Sequence, residues 1–173
     1  MKGVDNVNLI KELTLDINGL GIIMYSDFAT SHITEGEDYL SQSYQTPQQV
    51  ANHIMEGSIV GFCTSSPGRY ILNVRRGYPT ESDLNLAEFK LRLGIEIRDG
   101  RMCIRDLYDL MSWRENCPIN QCIDLENGYY HITLYGDVPS SGLLGDRQII
   151  YVYLNKLNSM PALRCDGVPM FSQ

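Results

Sequence analysis

The sequence predicts a single α+β domain, mainly β, with antiparallel sandwich-like sheets and short helices over their ends. Three observations carry this. Apolar and polar residues alternate with period two, most clearly in Leu91, Leu93, Ile95 and Ile97 against Arg92, Gly94, Glu96 and Arg98. Turn-forming clusters, "SSPG", "DG" and "ENG", separate such segments. Helix signals are few and short. At 173 residues the chain is long enough for one well-buried core.

Residues Leu13 to Tyr25 open as an apolar-polar mixture broken by Asn18-Gly19 and Gly21, and "GIIMY" reads as a short buried strand. Ser26 to Tyr44 is polar and irregular, with a helical turn around Asp38 to Leu40. Thr46 then marks the clearest helix start. It can cap, Pro47 suits the first helical position, and Gln49 completes a capping box. Val50, Ala51, Ile54 and Met55 follow at helical spacing, and Gly57 suits the left-handed residue past the end.

"SIVGFCT" and "RYILNV" read as strands around the Pro67-Gly68 turn, with Tyr70, Leu72 and Val74 on one face. Residues 78–88 form a connector. The alternating strand 91–97 ends at an Asp99-Gly100 hairpin, and its return strand turns Met102 and Ile104 inward with Cys103 opposite. Asp106 can cap a short helix reaching Arg114, with Leu107, Leu110 and Met111 as its apolar stripe. "QCIDL" and "YYHITLY" are further strands. "RQIIYVYLNKL" is apolar on both faces, which predicts a central strand. The tail from Ser159 is irregular.

The halves resemble each other. "SPGRYILNV" matches "ENGYYHITL" at the Gly, at the following Tyr and in the alternation beyond. This suggests pseudo-repeat units over 17–80 and 88–157 within the one domain, although such hairpins also arise independently.

Composition excludes several function classes. No apolar run approaches the ~20 residues of a membrane span. Asp5, Lys11 and Glu12 interrupt any secretory h-region, so the expected location is the cytoplasm. The net charge of −7 argues against nucleic-acid binding. Scattered acids serve solubility, and they also steer toward a basic partner. The five cysteines read as small half-buried residues of a reducing compartment. Cys117 and Cys122 have loose spacing and no neighbouring His, so neither a metal nor another cofactor is expected.

Chemistry-bearing motifs are absent: there is no phosphate loop, dinucleotide fingerprint, zinc-protease helix or nucleophile elbow. Cys63 with His53 or His131 is the arrangement that an enzyme of small-molecule type would use. Asp27 with Asp38, or Asp106 with Asp109, are the candidate carboxylate pairs. Against this stand the commoner roles of a buried Cys and of acids at a helix start. Tyrosine is more informative. Eleven tyrosines against four phenylalanines make a polar-edged aromatic set, with Tyr129, Tyr135, Tyr151 and Tyr153 in strands. Tyrosine suits contact surfaces, and it also suits strands for their own sake.

In layout the chain resembles small bacterial immunity proteins, the partners of polymorphic or contact-delivered toxins. The segments that carry this are "GIIMYSDFATSHI", the acidic "EDYL", "GSIVGFCTSSPGRYILNV", "LRLGIEIRDGRMCIRD" and "LENGYYHITLY". The second half is also similar to the family of small inhibitors of the bacterial DNA-uptake nuclease. The resemblance spans about residues 20–157 and rests on no residue signature. It implies inhibition of a cognate protein toxin by binding, with no catalytic residues. An enzyme using Cys63 or a carboxylate pair, and a self-assembling structural or regulatory subunit, are the alternative readings.

For a binder, the long polar loops 26–44 and 136–146 are the expected contact surface. Asp27, Glu35, Glu37, Asp38, Asp137 and Asp146 would supply charge complementary to a basic nuclease groove. Tyr39 and Tyr44 would be the aromatic anchors.

Overall fold

The computed structural model describes residues 8–165 and 167–171. In chain order these form β1 (Leu9–Ile17), β2 (Gly21–Tyr25), α1 (Asp27–Thr30), α2 (Tyr39–Ser43), α3 (Pro47–Glu56), β3 (Val60–Cys63) and β4 (Gly68–Arg76). There follow α4 (Glu81–Leu86), β5 (Phe89–Ile97), β6 (Arg101–Asp106), 3-10 turns at Leu107–Met111 and Ile119–Gln121, β7 (Cys122–Asp124), β8 (Gly128–Gly136) and β9 (Gln148–Leu157).

The strands make two sheets, a five-stranded one ordered β1-β4-β9-β8-β5 and a four-stranded one ordered β3-β2-β6-β7. β9 is central, as its apolar run predicts. Its pairing with β8 is antiparallel and with β4 parallel. Flanking strands that run in opposite directions leave a strand between them no other choice. The strand order also has an approximate two-fold pattern. β1 pairs β4 as β5 pairs β8, β2 pairs β3 as β6 pairs β7, and β2 meets β6 antiparallel at the middle of the small sheet.

On the large sheet, period-two alternation sends Tyr70, Leu72, Val74, Ile132, Ile150 and Val152 into the core. β1 alternates in the same way: Leu13, Leu15 and Ile17 are buried, while Glu12, Thr14 and Asp16 face out. The small sheet is covered on both faces, so all five residues of β2 are buried and no alternation survives there. Met24, Met102 and Ile104 face the large sheet. Ile23, Tyr25, Cys103 and Arg105 face a third layer formed by α1, α2 and the 107–122 segment.

The helix at Thr46 forms as its sequence dictates. Thr46 Oγ1 accepts from Gln49 N at 3.2 Å, Gln49 Oε1 accepts from Thr46 N at 3.0 Å, and Gly57 takes φ +66°. Val50, Ala51 and Ile54 face the core, but Met55 is 56% exposed. The helix expected over 106–114 is instead a 3-10 turn of five residues. Asp106 caps it, accepting from Tyr108 N at 3.0 Å, and the same carboxylate accepts from Asn18 N at 2.7 Å. That tie to the β1–β2 turn fixes where the segment starts. The chain then bends to bury both Leu110 and Trp113.

The tail is irregular yet structural. Pro161 lies over Gly94, where a Cβ would come within 2.6 Å of the proline ring. Farther on, Cys63 N donates to Pro169 O at 2.7 Å and Phe171 N to Cys63 O at 2.8 Å, covering the free edge of β3. Phe171 is 1% exposed and packs against Phe62 and Phe89 at 5.8 and 5.6 Å between ring centroids. Phe171→Ala should therefore lower unfolding stability by roughly 3–5 kcal/mol, measured by urea denaturation. A loss within about 0.5 kcal/mol, as for an exposed side chain, would contradict this role for the tail.

Candidate functional site

Two surfaces carry the features that partner recognition needs. The first is the acidic end formed by the 26–44 segment. The α1 N-terminus is capped from another hairpin, with Asp99 Oδ2 accepting from Phe28 N at 2.6 Å and from Ser26 Oγ at 3.2 Å. Asp27 is half-buried and forms a two-pronged pair with Arg101 at 2.8 and 2.9 Å. Glu35 accepts from Glu115 N at 2.6 Å and lies 3.6 Å from Arg114. The backbones of Gly36, Glu37 and Trp113 exchange hydrogen bonds of 2.8 and 3.0 Å. Asp38 caps α2, accepting from Ser41 N at 3.1 Å, and hydrogen bonding from the Ser41 hydroxyl, then from its backbone N–H, lowers the Asp38 carboxyl pKa. The loop is thus braced, not loose.

Beneath it lies Arg105, 4% exposed. Its Nε donates to Asp109 at 2.8 Å and its Nη1 to the Arg114 carbonyl at 2.6 Å and the Tyr25 hydroxyl at 3.3 Å. Its guanidinium lies 4.5 Å over the Trp113 ring.

The second surface is the outer face of the large sheet. Tyr135 stacks on Tyr151 at 4.8 Å and on Tyr153 at 6.0 Å, all three half-buried. Burial pushes the Tyr135 phenol above its ordinary pKa, with Tyr153 and Asp83 adding to the shift. Beside the stack, Asp137, Pro139, Asp146, Arg147, Ile149 and Tyr151 line a groove under the β8–β9 loop. The loop is held at its base, where Arg69 N donates to Gly145 O at 2.8 Å and Ser66 Oγ to Leu144 O at 3.0 Å. On the same face Tyr78 Oη lies 3.1 Å from His131 Nδ1. His131 Nε2 and Thr133 Oγ1 are buried with no hydrogen-bond partner among the described residues.

These placements revise the expected contact surface. The 136–146 loop sits at the end where β2 begins, beside the turn after Cys63. The 26–44 loop leaves the opposite end of β2 and meets the Asp99 hairpin. The two loops therefore cannot form one patch. Tyr39 and Tyr44, the expected aromatic anchors, are 7% and 3% exposed. Tyr39 Oη lies 2.7 Å from His53 Nε2, and Tyr44 donates to Ile59 O at 3.0 Å. Both fill the layer over the small sheet, because their rings are the largest apolar groups the segment offers to cover it. Asp137 accepts from Glu88 N at 2.9 Å, and Asp146 is exposed.

The candidate catalytic groups are dispersed. Cys63 is half-buried beside Ser65, at 3.9 Å. His53 is occupied by Tyr39 and by Gln49 O at 2.7 Å, and His131 lies on the far face of the other sheet. Asp27 and Asp38 serve separate partners. Asp106 holds the β1–β2 turn, and Asp109 pairs with Arg105. The sequence gives no site role to Arg105, Trp113, Asp99 or Glu115. The return strand carries Arg101, Arg105 and Asp106, and its spacing alone does not mark Arg105 as the buried cation. Among the other cysteines, hydrogen bonding with Cys103 holds the Cys117 thiol down at about 6, while Cys103 itself is pushed up. Burial pushes Cys122 up.

Among the described residues, no helix is long and apolar enough to cross a membrane. No protein-family model matches the chain, and no curated protein matches it in sequence. Among solved structures its fold is similar to ComJ, inhibitor of the DNA degrading activity of NucA from Bacillus subtilis. The TM-score is 0.53 at 14% identity, over 86% of this chain and 97% of that one. It is also similar to the crocagin biosynthetic gene J protein, with a TM-score of 0.53 at 14% identity, over 82% of this chain and 94% of that one. At such identity the fold is what is shared.

Two outcomes follow from the geometry. Arg105→Ala leaves the Tyr25 hydroxyl, the Arg114 carbonyl and Asp109 without their donor, so unfolding stability should fall by roughly 3–5 kcal/mol. Amide exchange over 35–38 and 112–116 should rise first. If denaturation shows no loss, Arg105 does not anchor this layer. Burial, and then Arg92, lower the His131 pKa from 6.5. As pH falls below that ordinary value, the unfolded chain takes up the proton before the folded one, so stability drops toward the lowered folded pKa. Above it this residue adds no pH dependence. His131→Gln should flatten the stability profile as pH falls below about 6.5, read from urea midpoints, and an unchanged slope there would refute the assignment.

Proposed function

We propose that this chain is an inhibitor that works by binding: it acts in the cytoplasm, holds a cognate protein toxin of the nuclease kind, and covers its active site. The observation that supports this most is the fold shared with a nuclease inhibitor over nearly the whole of that inhibitor. The net charge of −7 fits a partner with a basic phosphate-binding groove. The residue arrangement fits as well. Stacked Tyr135, Tyr151 and Tyr153 offer rigid aromatic area whose hydroxyls find partners at low entropic cost, and Asp137 and Asp146 outnumber Arg147 along the groove beside it.

In this reading the tyrosine face and the 136–146 loop make the contact. The braced acidic end, with Asp27, Glu35, Glu37 and Asp38, contributes to long-range attraction. Catalysis has no part in it, and neither does a direct contact with nucleic acid or membrane.

The test is co-expression with the product of the neighbouring gene. The expected result is a complex that survives size exclusion, together with relief of toxicity and of DNA degradation. Absence of both complex and relief would overturn the reading. Within the complex, Tyr151→Ala should weaken binding by about 2 kcal/mol, roughly thirtyfold. Charge reversal of Glu37 and Glu115 to Lys should slow association and reduce its salt dependence without changing Tm. A Tyr151→Ala variant with native affinity would move the contact away from this face.

A further inference from the structure

The β6–β7 ladder sets Cys103 directly opposite Cys122, with the two sulfurs 4.0 Å apart. The Ile119–Gln121 turn doubles the chain back so that Cys117 joins them, and all three sulfurs lie within 4.8 Å of one another. We propose that Cys103, Cys117 and Cys122 form a structural Zn2+ site, three thiolates with the fourth position open to water.

The geometry is close to what the ion requires. Zn–S bonds of about 2.3 Å in a tetrahedron place sulfurs about 3.8 Å apart. Cys103 and Cys122 already stand near that separation. Cys117, half-buried in a loop, is the ligand with freedom to close the set, and it provides the path from solvent.

The surrounding charge favours a dication. Arg101 donates from Nη1 to Cys122 Sγ at 3.3 Å, a bond that a thiolate accepts better than a thiol does. Three thiolates around Zn2+ carry one net negative charge, and Arg101, itself shared with Asp27, donates to one of them. Cu+ in the same place would leave two negative charges. Arg101 is itself fixed by its two-pronged pair with Asp27, whose Oδ1 lies 3.9 Å from Cys103 Sγ. Partners outside the ligands that orient them in this way are what metal sites use. Three small residues buried only for packing would need no cationic donor. Binding displaces the thiol protons to solvent and changes no oxidation state. The ion would clamp the 112–122 segment to the small sheet.

The experiment uses the full chain, reduced and stripped of metal by chelation. It is titrated with Zn2+ against a chromophoric zinc indicator, and separately with Co2+. A single equivalent should bind, with thiolate-to-cobalt charge-transfer absorption and a rise in Tm on addition of Zn2+. Cys117→Ser should weaken binding by at least about tenfold, and Cys63→Ser and Cys165→Ser should match the unmodified chain. As a measurement independent of any variant, Zn2+ should protect Cys103, Cys117 and Cys122 from alkylation in the native sequence and leave Cys63 and Cys165 open, as read by peptide mass. The proposal is overturned by failure to bind Zn2+, by Cu+ held where Zn2+ is not, by a Cys117→Ser isotherm equal to the unmodified one, or by protection that misses these three thiols.

Discussion

The buried guanidinium of Arg105 is the constraint on which the helical layer depends. A charge taken out of water is costly unless every donor finds a partner and an opposite charge is near. Here Asp109, the Arg114 carbonyl, the Tyr25 hydroxyl and the Trp113 ring meet those needs together. They come from β2, from the 3-10 turn after β6 and from the loop beyond it. Satisfying one side chain therefore fixes the positions of three chain segments. Trp113, so placed, exchanges backbone bonds with the acidic loop. The order of that loop is thus inherited from a residue in the sheet beneath it.

The two sheets meet this demand differently. The large sheet packs one face fully into the core and covers the other only in part: Asn73, Arg75 and Thr133 are buried there, while Tyr135, Tyr151 and Tyr153 are half-buried. The small sheet is buried on both faces. Its outer side needed polar groups able to bind one another as well as apolar ones. Arg101 with Asp27, Arg105 with Asp109, and the facing Cys103 and Cys122 all occupy that side. Polar pairing there holds a layer of short helices and loops that have too few apolar residues to pack on their own.

This division bears on recognition. Identity of 14% with proteins of the same fold means that the sheet architecture persists while nearly every side chain changes. Burial patterns tolerate such change as long as volume and polarity are kept. Half-buried residues on the outer sheet face are under less restraint, and a surface can vary there at smaller cost to the fold. The stacked Tyr135, Tyr151 and Tyr153 belong to that less restrained set.

The sequence by itself determined the strands whose two faces differ, because alternation reports one-sided burial. β4, β5 and β8, the Thr46 capping box and the Gly57 stop were all legible for local reasons. β1 carries the same alternation in "LTLDI", running up to the Asn18-Gly19 turn. Tertiary structure alone decided the parallel pairing of β4 with β9, since direction depends on which strands β9 lies between. It decided that Tyr39 and Tyr44 are core residues, because a polar loop does not show what it covers. It also separated the two acidic loops to opposite ends of the sandwich and gathered Cys103, Cys117 and Cys122 into one place. Proximity across sheets and layers is long-range geometry, and local spacing in one sequence carries no record of it.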